Sequence, residues 1–158
     1  MLFRSLRDDS PNVLQPAAIA NGLLANGRIT RLSDDSALTA LATRGDLTLP
    51  QLTRETFLRL ASRPPTPAEE KLFASYLQEG FDSRLAVSEA NAPVRRKATR
   101  PVSWSNHLNP EATKIKLEAE RAARAGDPPT ARLAPAWRER MEDAVWSLVN
   151  SPEFIFAP

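Results

Sequence analysis

The stretch Arg63-Pro64-Pro65-Thr66-Pro67-Ala68-Glu69 constrains this chain more than any other. Adjacent prolines stop a helix arriving from the N-terminal side. Thr66, Pro67 and Glu69 then supply an N-cap, a first-turn proline and a capping-box carboxylate for a new helix. Before the break, Leu49, Leu52, Thr53, Thr56, Phe57 and Leu60 line one helical face starting near Pro50. After it, Leu72, Phe73, Tyr76 and Leu77 form a second stripe, closed by Gly80. The spacing predicts an αα-hairpin over about 50–79.

The rest of the 158 residues follows the same grammar, with fourteen prolines against five glycines favouring several short helices over a few long ones. A terminal helix is predicted over about 136–150, ended by Asn150-Ser151-Pro152. On it Trp137, Met141, Ala144 and Leu148 share a face that Val145 and Val149 widen, while Trp146 falls on the opposite, charged face. An apolar tail, Phe154-Ile155-Phe156, follows. Upstream, Ile19, Leu23 and Leu24 suggest a small helix from Gln15 to Ala25, with Asn26-Gly27 as its stop. Ser33-Asp34-Asp35-Ser36 offers N-caps for a helix to about Thr43. Residues 86–105 show no period and form a long irregular segment. Asn109-Pro110 reads as the start of a charged surface helix to Ala125, stopped at Gly126. No stretch has the pattern of a strand. The expected fold is all-α, about six short helices in one domain over 1–158 or in the C-terminal part of a larger one.

Composition narrows function by exclusion. Cysteine is absent, so this chain forms no disulfide, thiolate metal site or covalent haem link. A net charge of +2 argues against global attraction to nucleic acid or membrane. No run approaches the roughly 18 apolar residues of a membrane helix, and the start MLFRSLRDDSPN lacks a signal-peptide core. The chain is therefore expected to be untargeted, or a piece of something longer.

Candidate chemistry is sparse. His107 is the single histidine, and Asn106, Asn109 and Glu111 are its polar neighbours in sequence, which suits a surface role. Asp8-Asp9 and Asp34-Asp35 lack the alternating ligands of a calcium loop and read as turn and capping groups. Glu139, Glu142 and Asp143 lie beside Arg138 and Arg140, which would screen them on an exposed helix. Arg95, Arg96, Lys97 and Arg100 form a weak polyanion patch without interleaved aromatics. Trp146 either packs beneath Phe154 and Phe156, or beneath the Trp104 loop, or docks onto another domain. No catalytic, cofactor or metal residue is assigned.

The ending MEDAVWSLVNSPEFIF resembles the closing motif of a C-terminal domain of unknown function in large Planctomycete-type proteins that often carry a cytochrome-c-like domain. Asp143, Val145, Trp146, Leu148, Asn150, Ser151, Glu153 and Phe154 carry the likeness. The proline-turn hairpin and the spacing of Gln15 and Asn21 extend it, with Pro16 departing from the family's alanine. Residues 86–134 fall outside the resemblance and read as an insertion with an exposed loop and a surface helix. The resemblance implies a detached C-terminal portion of a longer, extracytoplasmic, haem-linked polypeptide whose upstream domains are its partners. Electron transfer does not carry over, because the haem-binding Cys-x-x-Cys-His is missing.

Three functional expectations result. The first is a non-catalytic structural or interaction module with Trp146, Phe154 and Phe156 as its interface. The second is an enzyme cleft for polysaccharide, completed by upstream sequence and lined by Asp143, Asn150 and Glu153 of the candidate motif Asp143, Asn150, Ser151 and Glu153. The third is polyanion binding through the basic loop.

Overall fold

The computed structural model describes residues 25–86 and 107–155, together with positions 17, 22 and 102. Among these residues the chain is all-α, with no strand. After a π-helical turn, Ala25–Ile29, come α1 (Ala37–Ala42), α2 (Leu49–Leu60), α3 (Pro67–Leu77), α4 (Ala112–Ala125), α5 (Pro135–Val149) and the short α6 (Pro152–Ile155).

Each of the first three α-helices begins where a hydroxyl side chain can cap it. The Ser36 hydroxyl accepts from the Leu38 amide, opening α1. At α2 the Thr48 amide donates to Gln51 Oε1 at 2.9 Å, with Pro50 in the first turn. At α3 the Thr66 amide donates to Glu69 Oε2 at 2.7 Å, and the Glu69 amide returns a bond to the Thr66 hydroxyl. Such reciprocal caps contribute about 1 kcal/mol each. They set the ends of the hairpin as the sequence predicts, with α2 starting one residue earlier than Pro50.

The core lies between the hairpin and α5. Leu52 and Phe57 of α2, Leu77 of α3, and Trp137, Met141 and Val145 of α5 are almost fully buried, joined by Leu32, Leu41 and Leu133. Phe57 meets Phe73 edge-on at 5.0 Å between ring centroids. Trp137 is 2% exposed, and its indole Nε1 donates to the Leu77 carbonyl at 3.0 Å. That bond satisfies a carbonyl left open at the C-terminus of α3.

The second stripe of the hairpin is narrower than its sequence suggests. Phe73 and Leu77 are buried, but Leu72 is 65% exposed and Tyr76 44% exposed. α5 packs against α3 from one side only, so the flank of a wide apolar arc stays uncovered. Two further readings change. Asn26 and Gly27 do not end a helix; they lie inside the π-helical turn, where the Thr30 amide donates to the Ala25 carbonyl. Gly27 lies at a tight crossing: a Cβ on it would sit 3.1 Å from the Gly126 Cα, and one on Gly126, whose φ is +72°, would meet the Gly27 Cα at 2.8 Å. And α4 starts at Ala112, not Pro110: Asn109 Oδ1 accepts from the Glu111 amide and closes a separate turn.

Of α4 only Ala112 is buried, in keeping with a surface helix. The segment containing it leaves and returns at one point. Leu85 and Leu133 form an antiparallel bridge, with Ala86 N–H to the Arg132 carbonyl at 3.0 Å and Ala134 N–H to the Arg84 carbonyl at 2.8 Å. The described part of this segment is also tied to the rest, with the Asp127 amide donating to the Gly27 carbonyl and the Thr130 amide to the Leu32 carbonyl. The irregular segment predicted over 86–105, the N-terminal apolar residues and most of the predicted helix Gln15 to Ala25 lie outside the described residues, residue 86 and positions 17, 22, 25 and 102 excepted.

Candidate functional site

The uncovered flank of α3 and the outer face of α5 together bound a groove of about 480 Å³. Phe73 and Ala144 are its buried floor, and Leu72, Tyr76 and Trp146 rise from it with large exposed surfaces. Trp146 is 44% exposed and thus lies outside the core. Asp143 is the one charged residue on the lining among the described residues. The Tyr76 hydroxyl donates to Asp143 Oδ2 at 3.2 Å. Burial, and then the neighbouring Asp143 carboxylate, raise the tyrosine pKa and keep it protonated as a donor.

The other residues of the terminal motif turn away from this groove into structural bonds. Asn150 Nδ2 donates to the Trp146 carbonyl at 2.9 Å, closing α5. The Ser151 hydroxyl accepts from the Phe154 amide and opens α6. Phe154 is half-buried against the core, while Phe156 lies outside the described residues. Glu153 is held by Arg63, Nε to Oε1 and Nη2 to Oε2, both at 2.7 Å.

That pair belongs to a three-way clasp. Arg63 Nη1 and Nη2 also reach Glu69 at 2.9 and 2.8 Å, and the guanidinium sits 5.6 Å from the Phe57 ring centroid. One arginine thereby ties the hairpin turn, the first turn of α3 and α6 together. Its hydrogen bonds hold the Glu69 carboxyl down to about 2, pull Glu153 below the usual carboxylate range, and raise the arginine's own pKa. The capping role of Glu69 is legible in the sequence, whereas its pairing with Arg63 is signalled only by an i, i+6 spacing across a proline turn.

Glu142 is likewise structural. Contrary to the expectation of an exposed, screened acid, it is 15% exposed at the side chain and accepts from the Leu32 amide at 2.9 Å, with Arg31 and Arg138 nearby at 3.7 and 3.8 Å. Arg140 forms its ion pair with Glu79, at 2.6 Å, rather than with an acid of its own helix. Arg84, unremarked in the sequence, is buried over the Phe81 ring and donates to the carbonyls of Ala42, Phe81 and Arg44. Burial lowers its pKa, but its place at the end of α1 suits a cation.

His107 is exposed in the turn before α4, Glu139 is exposed, and Asp34 accepts from the Thr130 hydroxyl. Asp8, Asp9, Trp104 and the basic residues Arg95, Arg96, Lys97 and Arg100 lie outside the described residues. Among the described residues no group of three or more acids and histidines is placed to hold a metal, and no helix is long and apolar enough to cross a membrane. Comparison with protein-family models, curated proteins and solved structures gives no match for this chain.

Proposed function

We propose that the chain is a non-catalytic interaction module that presents the groove between α3 and α5 to another protein. The carrying observation is the adjacency of Leu72, Tyr76 and Trp146, three large side chains left uncovered side by side. Scattered apolar residues on a surface are ordinary, whereas a contiguous set beside a concavity marks a contact. Tryptophan and tyrosine are enriched among residues that carry binding energy. Further support comes from the acids: Glu69 and Glu153 converge on the Arg63 guanidinium and Glu142 on the Leu32 amide, so each is committed to a structural partner. The likeness of the terminal motif adds that the partner is an upstream domain of an extracytoplasmic, haem-linked polypeptide.

Photocrosslinking tests this. With p-benzoylphenylalanine at Leu72 in the native host, one dominant adduct is expected, weakened by Trp146→Ala and unchanged by a substitution off the groove lining, the exposed Glu118→Ala. An adduct pattern indifferent to Trp146→Ala refutes the module. So does polysaccharide hydrolysis by the intact protein that Asp143→Ala and Glu153→Ala abolish.

A further inference from the structure

We propose that the groove is cation-selective: its occupant is a partner's apolar helical segment carrying a lysine or arginine, and Asp143 receives that charge. This rests on the docking reading above and specifies its chemistry.

Asp143 sits on a lining otherwise made by Leu72, Phe73, Tyr76, Ala144 and Trp146, with Ser147 at the side. Its neighbours supply one hydrogen bond, from the Tyr76 hydroxyl, and among the described residues no ion pair. The adjacent cations are engaged elsewhere. Arg140 bonds both the carboxylate and the carbonyl of Glu79, and Arg138 lies by Glu139 and Glu142. A purely apolar partner settling on Trp146 and Tyr76 would strip water from Asp143, which among the described residues has no ion pair of its own, a costly outcome. A basic side chain removes that cost and meets two aromatic faces that attract cations. An acidic or neutral side chain at the same place gains neither, so one carboxylate sets selectivity for the whole groove. The flanking apolar surface suits an amphipathic helix laid along it, its anchors repeating every three to four residues.

The test uses the full chain and the indole N–H signals of Trp104, Trp137 and Trp146 by NMR. Three matched probes are titrated: phenethylammonium, phenethyl alcohol and 3-phenylpropionate. The ammonium should shift the Trp146 signal with Kd on the order of 1–10 mM, as expected for a fragment of this size. The alcohol should bind about five- to tenfold more weakly and the carboxylate more weakly still. Asp143→Asn, which keeps the side-chain shape and the Tyr76 contact, should bring ammonium and alcohol within about twofold of each other. A second arm compares an amphipathic peptide of about 14 residues bearing one lysine on its apolar face with its norleucine analogue; the lysine form should bind more tightly, and only when Asp143 is present. Equal binding of ammonium and alcohol by the native chain overturns cation selection and leaves the crosslinking result standing. Saturation of another site, or no response at Trp146, also overturns it. Binding of the ammonium with indifference between the two peptides transfers the site to a free amine and refutes the partner assignment.

Discussion

Trp137 and Trp146 belong to one helix and do opposite things. Trp137 is sealed between the hairpin and α5 and bonds the end of α3. Trp146, on the far face, stands over a groove with a largely open indole. The inner face of α5 is what the fold needs, because its removal would leave a cavity. The outer face leaves apolar surface exposed that the packing of the described core does not use. The difference teaches that apolar character alone does not mark a core residue; the geometry of the neighbouring helix decides.

The strongest challenge to this contrast is Trp137→Ala, expected to destabilise by about 3–5 kcal/mol, since it opens a cavity and leaves the Leu77 carbonyl without its donor. Denaturant unfolding measures it, and a loss below about 1 kcal/mol would put the inner face out of the core. Glu142→Ala comes next. It orphans the amide of fully buried Leu32, at about 1–3 kcal/mol, and would show that α5 has a third, polar face that serves the fold. Unchanged stability would mean the bond is replaceable by water.

Acid sharpens the comparison further by loosening the clasp without touching either tryptophan. Glu69 has a folded pKa of about 2 against an ordinary 4.5, so its contribution is complete above pH 4.5 and is lost as pH falls through 2. Glu153, also lowered by Arg63, moves in the same sense. Thermal melts should therefore decline between roughly pH 5 and 2, and Arg63→Gln should flatten that decline. A decline of equal steepness in Arg63→Gln would locate the acid sensitivity elsewhere. The smallest effects are expected at the groove. Leu72→Ala and Trp146→Ala should each change stability by no more than about 0.5 kcal/mol, since neither opens a cavity. A loss of about 2 kcal/mol or more at Leu72 would restore it to the core.

Much of the helical layout was legible because its signals are local. The Thr66–Glu69 cap, the prolines at 50, 64, 65, 67 and 135, and the break at Asn150-Ser151-Pro152 act within a turn of themselves. The inner faces of α2 and α5 were also readable, because both are buried along most of the predicted arc, with Leu60 and Leu148 half-buried at its edges. The groove was legible in half: the position of Trp146 away from its helix's apolar face was visible, but its companions were assigned to the core. Arc width is a property of one helix, whereas coverage depends on the neighbour's axis. The Arg63–Glu153 bond, the Glu142–Leu32 bond and the Gly27–Gly126 crossing left no sequence trace, because each joins residues distant in the chain.

The sequence by itself determined that this protein is helical, where its hairpin turns, and which faces of α2 and α5 look inward. Those outcomes follow from backbone sterics, capping and periodicity, all of which act over a few residues. Only the tertiary structure decided that Leu72 and Tyr76 stay outside, that Asp143 faces them across a groove, and that one arginine clasps α6 to the hairpin. The reason is physical: a helix can cover its neighbour along only one line of approach, and where that line falls is set by the packing of Phe57, Phe73, Leu77 and Trp137 together.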